Sequence, residues 1–258
     1  MTKILIKREK REFVPELNKE VVTVKAANYD VEDTNKDYST SYGTIDKKDL
    51  KKTGKINANI GKELIAYDAD FLDKFKHIKR LPQTISLKDI GIIIAETGVN
   101  SESNIVDSGT GSGALTCYLA HICKKVTTYE TRDEHREVAE TNATMLALKN
   151  ITIKKTSAYE GFDEKNADLV TLDLPEPWKA IVAAKKTLKN GGYLINYSPS
   201  TTSAMEFINE LNKHEEFFHI KTIELLERLW TIQGKIVHPK AIEIGHTGFI
   251  TIVRKILS

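Results

Sequence analysis

From residue 104 onward, short apolar runs alternate with longer stretches of helical period. The first run, Ile105-Val106 within 104–108, predicts a buried strand that ends in glycines, and a helix follows over 112–123. A second strand is predicted over 125–130 and a helix from 133 to about 148. Strands over 151–155 and 167–173 come next, the latter reading Ala167-Asp168-Leu169-Val170-Thr171-Leu172-Asp173. Helical sequence then runs to Leu188, where Gly191-Gly192 reads as the C-cap, and a fifth strand covers 193–197. After a helix around 203–213, apolar runs at 220–226 and 248–253 have no crossover helix between them. Strands separated by helices of this length imply parallel βαβ units. The predicted fold class is α/β, a doubly wound sheet of five parallel strands finished by a β-hairpin.

The first 75 residues follow a different rhythm. Short β-type runs at 21–25 and 63–67 sit among turn-like segments, and the Asp-, Asn-, Ser- and Thr-rich stretch 30–42 reads as an exposed loop. This predicts a small β-rich domain over 1–75, with the α/β domain over 76–258. At 258 residues, 40% of them apolar, the chain can bury a sizeable core. No apolar run approaches the roughly 20 residues of a membrane span. Charge returns after three apolar residues at the start, so no secretory segment is predicted. The expectation is a soluble, cytoplasmic protein with no membrane partner.

A net charge of +2 says little about partners, but its distribution says more. Residues 1–90 hold 19 Lys and Arg against 15 Asp and Glu, and Lys74-Phe75-Lys76-His77-Ile78-Lys79-Arg80 carries four cations and no acid. Lys76, Lys79 and Arg80 are therefore candidate phosphate contacts, the alternative being a solvated linker. Cys117 and Cys123 lie six residues apart on one predicted helix and cannot reach each other. Without a CxxC pair, cysteine-ligated zinc is not expected; no metal is predicted and the thiols read as structural.

In an open α/β sheet, ligands bind beyond the carboxyl ends of the strands. The first strand ends in Asp107-Ser108-Gly109-Thr110-Gly111-Ser112-Gly113-Ala114. Glycines there permit a tight turn and close approach of a ligand, and the helix beyond offers free N–H groups. Glu130 ends the second strand, 21 residues after Gly109, where a carboxylate can accept both hydroxyls of a ribose. The pair points to an adenosine-type cofactor. The loop also satisfies G-x-G-x-x-A, which dinucleotide enzymes use; Asp107, two residues before the first glycine, leans toward S-adenosylmethionine, whose amino group a carboxylate can meet. After the fourth strand, Asp173-Leu174-Pro175-Glu176-Pro177-Trp178 predicts a rigid loop with a carboxylate, carbonyls and an aromatic ring at the pocket mouth. That set suits a planar base with an exocyclic amine.

These motifs resemble the tRNA adenine-N1 methyltransferases that modify T-loop position 58 and, in archaea, also position 57. The likeness includes Gln83, Lys88-Asp89, 107–116, Tyr129-Glu130-x-Arg132, Glu160-Gly161-Phe162-Asp163-Glu164-Lys165, 173–178 and Gly245-His246-Thr247. It implies a Rossmann-like class I S-adenosylmethionine-dependent methyltransferase sheet, S-adenosylmethionine as donor, tRNA as acceptor and a homotetramer. Asp173 would be catalytic, stabilising charge on the adenine while also touching the cofactor's methionine end. Tyr197 would be the ring on which the base stacks. Gly109, Gly111, Ser112, Gly113, Ala114 and Leu115 would cradle the cofactor with Asp107, and Gln83 would cap it. Glu130 would hold the ribose, with His135 near the adenosine. Two departures stand out: Ser86-Leu87 replaces a usual Tyr-Pro, and Ser157 replaces an Asp that faces the cofactor's adenine amine. His246 could face the pocket, although a lone His there reads more simply as structural. Two other functions stay open at this point: methylation of a small molecule such as a corrinoid precursor, or a non-catalytic tRNA-binding subunit.

Overall fold

The structure, a computed structural model, describes residues 3–234, 236–241 and 245–257. The chain divides into two compact units, one ending at His77 and one beginning at Ile78.

The first unit is built on an antiparallel four-stranded sheet in the order Ala27–Val31, Lys3–Lys7, Glu63–Asp68, Gly54–Asn57. Leu5, Val31, Ile45, Leu50, Ile56 and Leu64 form its core. Two hairpins complete it, Lys10–Val14 with Lys19–Val24 and Tyr38–Thr40 with Gly43–Ile45. The stretch 30–42 is therefore not simply a loop. Tyr38 and Tyr42 pack against the core with Tyr29, and apolar rings outweigh the polar residues around them.

The second unit carries seven strands: β1 (Asn104–Ser108), β2 (Lys125–Tyr129), β3 (Ile151–Lys154), β4 (Ala167–Leu172), β5 (Leu188–Ser198), β6 (Phe217–Glu224) and β7 (Phe249–Lys255). Their order is β3-β2-β1-β4-β5-β7-β6, with β1 to β5 parallel and β7 antiparallel to both of its neighbours. Helices α1 (Leu87–Thr97), α2 (Ala114–Ile122), α3 (Asp133–Met145), α4 (Ile181–Thr187) and α5 (Thr201–Leu211) accompany the sheet. Central strands covered on both faces read as continuous apolar runs; Ile105, Val106, Leu169 and Val170 are all buried. Strand order reverses between β1 and β4, which opens a crevice beyond their carboxyl ends.

Two expectations change. Gly191-Gly192 does not cap a helix, because α4 ends at Thr187 and β5 already begins at Leu188. Instead Gly191 takes φ +76°, and pairing with β4 slips between Ala167 and Leu169. A Cβ at Gly192 would lie 3.0 Å from the Ala167 carbonyl oxygen, so the glycines form a bulge that lets two strands close up. The terminal hairpin is real as the pair β6–β7, but a further isolated hairpin, Trp230–Gln233 with Ile236–Pro239, stands between them in sequence. Both cysteines are buried and free; burial, with Asp107 nearby, pushes the Cys117 thiol up to about 12, which suits packing rather than reactivity. Among the described residues no helix is long and apolar enough to cross a membrane.

Candidate active site

The ends of β1, β2 and β4 are laced together by main-chain hydrogen bonds. Asp173 N–H donates to Ser108 O and Gly109 N–H donates to Tyr129 O, both at 3.0 Å. Gly109 sits at φ +79°, and a Cβ on it would fall 1.9 Å from the Asp173 carbonyl oxygen. Only glycine lets the two strand ends approach this closely.

Two cavities adjoin across this junction, and Gly109 and Asp173 border both. The narrower one lies between Gln83-Thr84 and the glycine loop, with Asp107, Gly111, Ser112, Ala114 and Leu115 on its wall. The larger, about 370 Å³, is bordered by Glu130, Arg132, Ser157, Tyr159, Pro175 and Asp173. Most sequence-predicted cofactor residues thus meet at one place. Gly113 stands behind the wall at the start of α2, and His135 faces a neighbouring groove with Lys79 and Pro82. The His135 Nδ1 is buried without a hydrogen-bond partner, 3.8 Å from Glu130 Oε2.

The electrostatics separate three carboxylates. Asp107 is buried, and its oxygens accept from the hydroxyls of Thr116 at 2.6 Å, Thr128 at 2.7 Å and Thr171. It ties α2, β2 and β4 to β1, so it is an anchor of the loop as much as a partner for a ligand. Glu130 loses solvation by burial, yet bonds from Arg132 and from the Arg132 and Gly111 amides outweigh that and hold its carboxyl below the usual range. Asp173 goes the other way. Burial and then the Asp107 charge, only partly offset by Arg132, push its carboxyl up to about 8. A carboxyl displaced this far, in a cleft and beside named charges, makes this a candidate functional site.

Gln83 adopts φ +65° at the cavity edge, a left-handed conformation that costs a non-glycine residue roughly 1–2 kcal/mol. Backbone strain of this kind clusters at functional sites, which adds Gln83 to the candidate residues. Ser157 Oγ accepts from the Tyr159 amide at 3.2 Å while bordering the larger cavity. Lys76, Lys79 and Arg80 are all exposed.

Residues 75–247 match the family model described as the tRNA methyltransferase complex GCD14 subunit. The chain belongs to this family. A tRNA (adenine(57)-N(1)/adenine(58)-N(1))-methyltransferase TrmI from Methanocaldococcus jannaschii is 33% identical over 247 residues, covering 84% of this chain and 87% of the relative. A SAM-dependent O-methyltransferase of Thermotoga maritima has a TM-score of 0.78 at 29% identity, covering 100% of this chain and 93% of that one. TrmI of Aquifex aeolicus, a tRNA (m1A58) methyltransferase, has a TM-score of 0.77 at 19% identity, covering 100% and 98%, and supports the fold. The fold is the Rossmann-like methyltransferase sheet.

For this member of the GCD14 family, several side chains do not stand where the sequence suggested. Trp178 packs with Leu174 against the core beneath α4 and α5 and is not on the cavity wall. Tyr197 is 7% exposed; its hydroxyl donates to Asp89 Oδ2 at 3.3 Å, and a Cβ on Gly248 would lie 2.5 Å from its ring. The main chain at 248 therefore covers the ring, and burial followed by the Asp89 charge drives its phenol upward. Tyr129 and Tyr159 are the rings that border the larger cavity, the Tyr159 hydroxyl accepting from the Glu176 amide at 3.1 Å. The ring nitrogens of His246 lie 2.5 Å from Glu224 Oε1 and 2.9 Å from Pro199 O, so the histidine is fully engaged, and Glu224 raises its pKa.

Two sets of contacts are not visible in the sequence. The threonines on Asp107 carry no motif signal. Lys88 binds Asp89 Oδ1 at 2.8 Å, Leu225 O at 2.8 Å and Thr247 Oγ1 at 2.6 Å, fastening the start of α1 to the segment behind Tyr197. The Lys-Asp and Gly-His-Thr motifs were visible in the sequence, but only the fold shows that they touch. Among the described residues no cluster of His, Cys, Asp and Glu could hold a metal ion.

Proposed function

We propose that the protein transfers a methyl group from S-adenosylmethionine to N1 of an adenosine in the T-loop of tRNA, at position 58, with position 57 open as a second target. The observation that carries this reading is Asp173: it borders both cavities, one walled by the glycine loop and the other by Glu130 and the Asp-Leu-Pro-Glu-Pro loop. The M. jannaschii relative supports the base and the position.

The residues present fit the cofactor. The glycine turn admits a ligand against the backbone, Glu130 is an ionised acceptor for a ribose diol, and the larger cavity falls within the roughly 300–1,000 Å³ of small-molecule sites. When bound, the cofactor supplies an electrophilic methyl group on a sulfonium. Gln83, Gly111, Ser112 and Leu115 would hold it, and Ser157 would meet its adenine amine. His135, one turn into α3, stands beside Glu130, its Nδ1 3.8 Å from Glu130 Oε2, on the neighbouring groove.

Adenine N1 already carries a lone pair, so no strong base is required. Positive charge grows on the ring as the bond forms, and Asp173 accepts from the exocyclic amine where that charge spreads. The remaining acceleration is alignment of the base. The target lies inside folded tRNA, so it is extruded to reach the Asp173 carboxylate. For Tyr197 to stack on it, the main chain at Gly248 has to move off the ring.

In this reading the first 75 residues and the exposed cations contact tRNA, and a homotetramer belongs to it. Exposed Leu226, Trp230, Ile232, Ile236 and Val237 in and before the isolated hairpin support such an association. Methyl transfer from labelled S-adenosylmethionine to unmodified tRNA, read by nucleoside analysis, tests the reaction: 1-methyladenosine is expected. Neutralising Lys76, Lys79 and Arg80 together tests the surface. Binding should weaken, and the slope of log affinity against log salt should flatten by roughly 0.7 to 0.9 for each phosphate that is no longer neutralised. Unchanged affinity and slope would make this run a solvated linker.

A further inference from the structure

A carboxylate offers about four acceptor positions, and all four on Glu130 are taken. Oε1 accepts from the Arg132 amide and from Arg132 Nε, both at 3.1 Å. Oε2 accepts from the Gly111 amide at 3.1 Å and from Arg132 Nη2 at 3.3 Å. The two amides are fixed, one by the glycine loop and one by the start of α3. The guanidinium is not: the Arg132 side chain is 56% exposed while that of Glu130 is 3% exposed. Half of the acceptor capacity of a buried carboxylate is thus held by a side chain that reaches in from solvent.

We propose that Arg132 is a built-in competitor for the ribose diol, occupying on Glu130 the two acceptor positions that the hydroxyls of an adenosyl ligand require. The inference rests on the reading that Glu130 holds the ribose. Entry of the ligand exchanges two guanidinium N–H donors for two hydroxyl donors, and the guanidinium swings to solvent at the rim of the larger cavity, where Arg132 already stands. The nearby Asp133 is already paired with Arg136 and Lys155, which weakens its pull on a third cation. On departure of the ligand the guanidinium returns and satisfies Glu130. Adenosyl ligands are therefore held more weakly than the carboxylate alone would hold them, which favours exchange of spent cofactor.

Calorimetry with adenosine, an uncharged ribonucleoside, tests the exchange, with 2′,3′-dideoxyadenosine as the ligand that has no hydroxyls to offer. Arg132→Ala is expected to bind adenosine roughly threefold to fivefold tighter than wild type, the scale of an exposed ion pair. The same variant should bind the dideoxy analogue as wild type does. Arg132→Lys, which keeps the charge without the fork, should fall between. Unchanged or weaker adenosine binding by Arg132→Ala overturns the proposal, as does an equal gain for the dideoxy compound. Glu130→Gln separates the two levels. If it binds adenosine as wild type does, Glu130 does not hold the ribose and the underlying reading fails; if it loses affinity while Arg132→Ala gains none, only the exchange fails.

Discussion

Asp173→Ala is expected to lose on the order of 100- to 1,000-fold in methyl transfer while tRNA affinity stays near wild type. The carboxylate is assigned to charge that appears as the N1–methyl bond forms, so its removal acts on the transition state rather than on binding. Asp173→Asn keeps an acceptor without the charge and should fall between. Because Asp173 also borders the narrow cavity, single-turnover rates at saturating cofactor are the appropriate measure. The elevated carboxyl adds a pH signature. With its pKa near 8 in the free protein, Asp173 is protonated at neutral pH, and a cationic ligand favours the ionised form. Affinity for S-adenosylmethionine should therefore rise with pH, by at most about tenfold per unit, and level off above about 8. Asp173→Asn should abolish that rise. A rate for Asp173→Ala within about threefold of wild type, far short of the loss such a group produces, would reduce the loop to a wall of the base site.

The second large effect is expected at Gly109. An alanine Cβ there would sit 1.9 Å from the Asp173 carbonyl oxygen, well inside contact distance, on a backbone at φ +79°. Relief requires the ends of β1 and β4 to part, which breaks the Asp173 N–H bond to Ser108 O and moves the Asp173 carboxylate with it. Gly109→Ala should destabilise the protein by about 3 kcal/mol or more and abolish measurable cofactor binding. Gly98→Ala is the control. Gly98 also has positive φ, at +63°, but nothing lies within 4 Å of its Cβ position. It should cost only the roughly 1–2 kcal/mol of the left-handed backbone. Thermal unfolding decides between close approach and mere backbone freedom: equal losses for the two variants would contradict the steric argument.

What could be read from the sequence followed physical range. Strands β1 and β4 announce themselves because burial on both faces makes apolar runs, which end at the glycine loop and the proline loop; β2 and the edge strand β3 show instead as short β-branched stretches between helices. The glycine loop, Glu130 and Asp173 were legible for the same reason: each ends a strand, and the parallel sheet brings those ends together. The errors sit where one local pattern has two uses. Gly191-Gly192 suits a helix cap or a bulge, and the short α4 decides for the bulge. Tyr38 and Tyr42 were hidden by polar neighbours, although rings bury more surface than those neighbours offer. Side-chain partners were least legible. Neither Trp178 turning toward α5, nor Tyr197 lying under Gly248, nor three threonines meeting Asp107 leaves a trace at fixed spacing.

The central claim is the reaction and its target. Incubation of the pure protein with labelled S-adenosylmethionine and an unmodified tRNA transcript, alongside a transcript with adenosine 58 replaced by guanosine, tests it directly. The account predicts 1-methyladenosine in the first transcript and its loss at that position in the second. Label in any nucleoside other than 1-methyladenosine, or no transfer to tRNA by a protein that binds the cofactor, would contradict it.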